Sequence, residues 1–254
     1  MLLLFVSVAL GVECQGDCTE RGRSAETPEQ AVEYWSLGCE QAEPKSCLEL
    51  SDALLYGRGV RNDHSRAKDM RELALKHYEL ACRKGDGEAC TLVASYRESK
   101  SWDVLACGAD QVQGCATLAK TDARYLEKAC RLGDLPSCTS WEKSLWEQAL
   151  ATDDRARAAD LYDQLTQIFP SSERHPLALW NLANAQWDLG RIKPAILTWE
   201  AFLAQYPEHE KAPVALERIA RAHESLNQLE QAQAAREQLR LSYPEYGAVP
   251  PPTP

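Results

Sequence analysis

The sequence predicts an all-α chain in which helix pairs stack as an α/α helical-repeat solenoid. Three observations carry this. Eight of the ten cysteines form four C-x7-C pairs, helix-stop signals lie inside two of those pairs, and Pro170, Pro207 and Pro244 recur every 37 residues.

In chain order, the first element is an apolar run. MLLLFVSVALG has the length of a signal-peptide core, and Ala9-Leu10-Gly11 has the small–x–small form of a cleavage site, so residues 1–11 are expected to be a removed leader. The run is too short to span a bilayer. A lipidated Cys14 fits poorly, because Glu13 stands where such signals need a small residue. Ordinary secretion is the expectation, with Cys14 and Cys18 either paired to each other or tying down the first helix.

The cysteine pairs are Cys39 with Cys47, Cys82 with Cys90, Cys107 with Cys115, and Cys130 with Cys138. Residues eight apart in one helix are separated by about 12 Å, whereas a disulfide needs Cα atoms roughly 4.4–6.8 Å apart. If they pair, the chain must reverse between them. KGDGE and LGDLP supply the reversal, with a glycine able to take a left-handed helix-end position. Each pair then staples the end of one helix to the start of the next. Zinc is the competing reading, but thiolate zinc sites favour C-x2–4-C spacing and nearby histidines, so no metal is expected. No CxxC occurs, which removes the usual redox signature. One bridge over such a loop is worth on the order of 2.5 kcal/mol in loop-closure entropy. This many disulfides also imply an oxidising compartment.

The domain cut follows from the cysteines, since none occurs after Cys138. Residues 12–138 are expected to form a cysteine-rich helical-repeat domain. Thr27-Pro28-Glu29-Gln30 reads as an N-cap, a first-turn proline and a capping-box glutamine, opening a helix to about Leu37. The next helix starts near Cys47, and a long amphipathic one follows, capped by Asp63 or Ser65. The stretch LLYGRGVRNDHSRAKDMRELALKHYELACRKGDGEAC resembles a Sel-one-like repeat of the cysteine-rich bacterial kind. In that family an A-L-x-Y-G-x-G-V loop joins two helices and a KAC-x-x-GD-x-x-AC hinge leads to the next repeat. YLEKACRLGDLPSC matches the hinge again. Between Cys90 and Cys130 the units are shorter and lack the glycine loop, so their helices are expected to be about two turns long.

Residues 139–246 are expected to form a second domain of three units, and the tail GAVPPPTP, residues 247–254, to be disordered. LTQIFP, FLAQYP and LRLSYP close the three units. Leu182, Ala183, Gly190, Ala195, Trp199, Phe202 and Pro207 stand where a tetratricopeptide repeat places them, and units of the same form fit residues 139–172 and 213–246, with Ala158 and Ala232 in the close-packing position. The 37-residue period resembles periplasmic tetratricopeptide families, including the Tol-associated cell-division coordinator and the lipoprotein of the outer-membrane β-barrel assembly machine. That resemblance implies a role in the bacterial envelope.

Composition excludes some partners. The net charge is −10, shared evenly on either side of residue 138, with no basic patch, so nucleic acid and anionic membrane surfaces are not expected to bind. No HExxH, GxSxG, Walker loop or dinucleotide fingerprint occurs, and no cofactor is expected. The histidines at 64, 77, 175, 209 and 223 lack metal spacing and read as solvated or capping residues. The alternative function is enzymatic. Some cysteine-rich Sel-one-like proteins are reputed to bind or hydrolyse β-lactams, and S-x-x-K occurs at Ser65–Lys68 and Ser140–Lys143. The S-D-N and K-T-G companions are missing, and Ser65 reads as a helix cap.

What remains is surface. Helical solenoids hold extended peptides or partner helices on the face lined by the first helix of each unit. In the middle unit that face is expected to present Leu177, Trp180, Asn184, Trp187 and Asp188, and in the next Glu217, Arg221 and Glu224. Trp199 reads as core. The expected function is a non-enzymatic scaffold or adaptor, periplasmic or secreted, that binds a protein or peptide partner without membrane insertion.

Overall fold

A computed structural model of the chain describes residues 14, 16–97 and 99–246. The expected leader at 1–11 and the proline-rich tail at 247–254 lie outside the described residues. Among these the regular structure is helical throughout, and the chain divides into two compact units between Cys138 and Thr139.

The first unit holds α1 (Cys18–Arg23), α2 (Pro28–Glu40), α3 (Pro44–Tyr56), α4 (His64–Arg83), α5 (Gly87–Arg97), α6 (Lys100–Gly108), α7 (Val112–Ala119) and α8 (Leu126–Arg131). The division falls in the first turn of α9 (Leu135–Ala151). Local chemistry starts these helices where the sequence says. Thr27 Oγ1 accepts from the Gln30 N–H at 3.3 Å, and Pro28 occupies the first turn of α2, which runs one turn beyond Leu37. Asp63, not Ser65, caps α4, accepting from the Arg66 N–H at 3.0 Å. A serine one residue inside a helix cannot reach the free N–H groups that the preceding aspartate already satisfies. The glycine loop before α4 has a steric cause. Gly59 has φ 68°, and a Cβ there would stand 2.1 Å from the Pro28 carbonyl oxygen.

All four C-x7-C pairs are disulfides: Cys39 is bridged to Cys47, Cys82 to Cys90, Cys107 to Cys115, and Cys130 to Cys138. They close one and the same turn. Three residues after the first cysteine the backbone turns left-handed, at Ala42 (φ 63°), Gly85 (98°), Asp110 (58°) and Gly133 (101°). That residue's N–H bonds to the carbonyl of the cysteine, as Ala42 to Cys39 at 3.1 Å and Gly85 to Cys82 at 2.9 Å. The next N–H, of Glu43, Asp86, Gln111 or Asp134, reaches back to Gly38, Ala81, Ala106 or Ala129 at 2.9–3.1 Å. These two bonds are a Schellman closure. The residue that makes the second bond also opens the following helix, because its carbonyl accepts from the N–H of the second cysteine, as Gln111 does from Cys115 at 3.3 Å. The eight-residue separation is therefore the distance from the last turn of one helix to the end of the first turn of the next. The Cα atoms are 4.5–4.6 Å apart.

Glycine takes the left-handed position in only two of the four turns. Between Cys107 and Cys115, the sequence CGADQVQGC gives that position to Asp110, while Gly108 and Gly114 lie inside helices. Gly114 serves packing instead, because a Cβ there would stand 2.6 Å from the Ala106 side chain. Cys115 follows it on α7 and is fully buried, as is Cys107 on α6.

Cys14 is bridged to Cys18 across the start of α1, with Cα atoms 5.7 Å apart. The unit's helices pack in sequence order around small local cores, one formed by Cys39, Cys47, Leu50, Leu54, Ala67 and Ala74, the other by Tyr78, Cys82, Ala89, Cys90, Val93 and Ala106. The disulfides are thus part of the buried interior as well as its staples.

The second unit repeats with strict register. After α9 come α10 (Arg155–Ile168), α11 (His175–Asp188), α12 (Ile192–Gln205), α13 (Ala212–Ser225) and α14 (Leu229–Ser242). α10, α12 and α14 begin 37 residues apart, as do α11 and α13. The close-packing alanines are buried at Ala158, Ala183, Ala195, Ala220 and Ala232, and Trp199 and Phe202 are wholly enclosed. The turns are those of the first unit without cysteines. Gly190 (φ 70°) and Asn227 (φ 57°) take the left-handed position, and the paired bonds Gly190 to Trp187, Arg191 to Gln186, Asn227 to Glu224 and Gln228 to His223 repeat the Schellman closure. Trp187 and Ala195, and Glu224 and Ala232, therefore occupy the two cysteine places.

Candidate functional site

The expected groove residues sit on α11 and α13, and the structure sorts them into three groups. Trp187, Glu217 and Arg221 line one cavity of about 330 Å3 together with Trp199, Val214 and Arg218. Trp180, Asn184 and Leu177 are half-buried on α11. Asp188 and Glu224 point to other tasks. The Asp188 carboxylate lies 3.6 Å from Arg155 Nε, and Glu224 pairs with Arg236 on α14.

Two aromatic walls form the α11 side. Trp187 rests on Trp199 with ring centroids 6.0 Å apart, and Trp180 on Phe202 at 6.1 Å. Both Trp180 and Trp187 pack against the core yet keep partial exposure. Trp199, as expected, is core at 0% exposure, but it also lines the cavity, and its indole N–H finds no acceptor among the described residues. A buried donor left without an acceptor costs about 1–3 kcal/mol.

The α13 side is charged. Arg218 Nη1 donates to Asn184 Oδ1 at 2.9 Å, and its guanidinium lies 5.1 Å from the Trp180 ring centroid, with Lys211 Nζ at 5.9 Å from the same ring. Arg221 donates to Glu217, one turn earlier on the same helix, and the Tyr246 hydroxyl also donates to Glu217 at 3.0 Å. The site can thus offer guanidinium donors beside indole faces, the pairing that anchors interfaces.

Arg218 is the residue that sequence reasoning missed. Shifting Trp180, Asn184 and Trp187 by 37 residues gives Glu217, Arg221 and Glu224, which assumes that α13 faces the groove with the same residues as α11. Val214, Glu217, Arg218 and Arg221 are spaced three, four and seven apart, so a helical count along α13 does find the face that lines the cavity. His175 departs from the expected solvated role as well. It is buried, its Nδ1 is 2.7 Å from the Tyr206 hydroxyl, and burial holds its imidazole below the usual pKa.

The S-x-x-K serines are exposed on helix surfaces. Ser65 and Lys68 are both solvent-facing on the first turns of α4, and Lys143, beside exposed Ser140, lies 3.8 Å from Glu147. Among the described residues no cluster of histidine, cysteine or carboxylate side chains could hold a metal ion. No helix among them is long and apolar enough to cross a membrane.

Comparison with known protein families agrees with this architecture. The family model of the Sel1 repeat matches residues 10–43, 44–86 and 123–134, leaving out the short helices between, and a tetratricopeptide repeat model matches residues 177–209. No curated protein matches the chain. Among solved structures it is similar to the crystal structure of a Sel1 repeat protein from Oxalobacter formigenes, at 14% identity over 94% of this chain and 100% of that one, with a TM-score of 0.36. The chain is a helical-repeat protein with Sel1 repeats in its N-terminal half and a tetratricopeptide-type repeat at residues 177–209.

Proposed function

We propose that the protein is a non-enzymatic adaptor that works outside the cytoplasm, in the bacterial cell envelope, and holds a protein partner against α11 and α13. Sel1 and tetratricopeptide repeats support an interaction scaffold at the coarse level. The observation that carries the finer reading is the cavity at Trp187, which Arg218 and Arg221 line together with Trp199 and Val214. A partner segment that lays an aromatic or aliphatic side chain on Trp187 and a carbonyl or carboxylate oxygen toward Arg221 would match that chemistry. Five disulfides support the compartment, because reducing cytosol does not maintain such a set.

The test is site-specific photocrosslinking from the full oxidised chain. A crosslinker at Val214, inside the cavity, is expected to capture a discrete partner that one at Leu197, exposed on α12, does not. Arg221→Ala and Trp187→Ala are expected to reduce the Val214 product. Equal yields from both positions and from both variants would remove the groove as the binding site.

A further inference from the structure

A second cavity, independent of the groove, lies in the first unit where α1, α3 and α5 begin. It measures about 500 Å3, and four carboxylates line it, from Asp17, Glu43, Asp86 and Glu88, against one cation, Lys45. Tyr78, 8% exposed, lines the same cavity, and its hydroxyl has no hydrogen-bond partner among the described residues. Leu92 adds an apolar wall.

Helix capping accounts for part of this. Asp17 accepts from the Glu20 N–H and Asp86 from the Ala89 N–H, each at 3.0 Å, while Glu43 accepts from the Cys18 N–H at 3.3 Å and the Ser46 hydroxyl at 2.9 Å. Each carboxylate has about four acceptor sites, so these bonds leave capacity unused. Glu88 lies inside the first turn of α5 and is not its cap. The starts of α3 and α5 contribute roughly half a positive charge each, which leaves the cavity about two charges negative. Burial, and then the Asp86 carboxylate, push the Tyr78 phenol above its ordinary pKa, so it remains a neutral hydroxyl able to accept a proton donor.

We propose that this cavity binds a primary ammonium group on an apolar stem, the stem against Leu92 and the ammonium among Asp86, Glu88 and the Tyr78 hydroxyl. A free alkyl diamine and a lysine side chain both present that chemistry. An ammonium carries three donors and no acceptor, which suits a cavity whose unpartnered hydroxyl and carboxylates are all able to accept. Neutral ligands would gain little from the excess charge, and anions would be repelled.

The test is calorimetric titration of the full oxidised protein with 1,5-diaminopentane, and separately with acetyl-Gly-Lys-Gly-amide and its Nζ-acetylated form. The expected result is one site per chain for the diamine, the lysine peptide or both, with no binding of the acetylated peptide. Binding of one probe alone identifies the source of the ammonium. Glu88→Gln and Asp86→Asn, which keeps an N-cap side chain, are expected to weaken binding roughly three- to fivefold each. Tyr78→Phe is expected to weaken it roughly fivefold while leaving the unliganded protein's Tm unchanged or raised, because it deletes a polar group that has no partner. No heat from either amine at millimolar concentration would overturn the proposal. So would equal binding by all three variants, or a lowered Tm in Tyr78→Phe, which would mean that the hydroxyl is already bonded.

Discussion

Ala42 and Gly85 occupy the same left-handed backbone position, three residues after the first cysteine of their respective staples, at φ 63° and φ 98°. The position is sterically free for glycine and costs alanine about 1–2 kcal/mol. Ala42→Gly should therefore stabilise the protein, less the roughly 0.4–1 kcal/mol by which glycine loosens the unfolded chain, for a net gain of about 0.5–1 kcal/mol. Gly85→Ala should lose a similar amount. Chemical denaturation of the oxidised proteins checks both, and a destabilised Ala42→Gly would show that something other than φ sets this turn.

The same turn recurs in the second unit, where Glu224 and Ala232 hold the cysteine places. Glu224→Cys with Ala232→Cys should form a fifth C-x7-C disulfide without backbone movement. Two hydrogens lost from the intact mass would register it, and the gain should be about 2 kcal/mol, reduced by up to about 1 kcal/mol for the lost pairing with Arg236. Free thiols after air oxidation would mean that the two turns are less alike than their hydrogen bonds indicate.

These two turns show how much of the fold sequence reasoning can reach. The C-x7-C spacing is legible because a disulfide demands close Cα atoms and eight helical residues cannot supply them, so the reversal follows from geometry alone. The 37-residue register is legible because Pro207 and Pro244 repeat it in covalent form. Ala42 was not legible as a left-handed residue, since nothing in CEQAEPKSC marks it as glycine marks Gly85. Arg218 was missed because the 37-residue shift carries the α11 face onto α13 unchanged, whereas the α13 face that lines the cavity runs through Val214, Glu217, Arg218 and Arg221. Trp199 read simply as core; that its indole N–H and the Tyr78 hydroxyl have no partner among the described residues depends on neighbours far away in sequence.

Reduction should act on the first unit far more than on the second. Its four C-x7-C bridges together are worth on the order of 10 kcal/mol in loop-closure entropy, as much as a whole domain's usual stability, whereas the second unit has none. The intact mass should rise by ten hydrogens on full reduction, for five bridges. Limited proteolysis of the reduced protein should then digest residues before Cys138 and spare a fragment covering α10 to α14. Survival of both units in reductant would assign the first unit's stability to its small cores instead.

Arg218 and Arg221 should separate stability from binding. Arg218 joins Asn184 and the Trp180 face, so Arg218→Ala removes a charged hydrogen bond and a cation–π contact, together about 1–3 kcal/mol. Arg221 has a side chain 66% exposed and pairs with Glu217 one turn away, so Arg221→Ala should leave the Tm within experimental error while lowering partner capture. Thermal melts of the two variants beside the Val214 crosslinking yield give the comparison. An Arg221→Ala protein that melts early would make that residue structural and weaken the case for the groove.

His175 should make stability depend on pH near neutrality. Its imidazole is buried against the Tyr206 hydroxyl, and desolvation lowers its folded-state pKa below the unfolded value of about 6.5, only partly offset by a bond to the Thr166 carbonyl. Above that value both states hold a neutral ring and the full stability is present. As pH falls below it, the unfolded chain takes up the proton first, so stability declines until the folded-state pKa is reached and is level below it. His175→Gln, which keeps a polar side chain near Tyr206 and cannot titrate, should flatten the slope between pH 7 and pH 5, a range in which carboxylates contribute little. Urea midpoints across that range, wild type against variant, decide it. Parallel slopes would show that the ring titrates alike in the folded and unfolded states, with no net effect of burial.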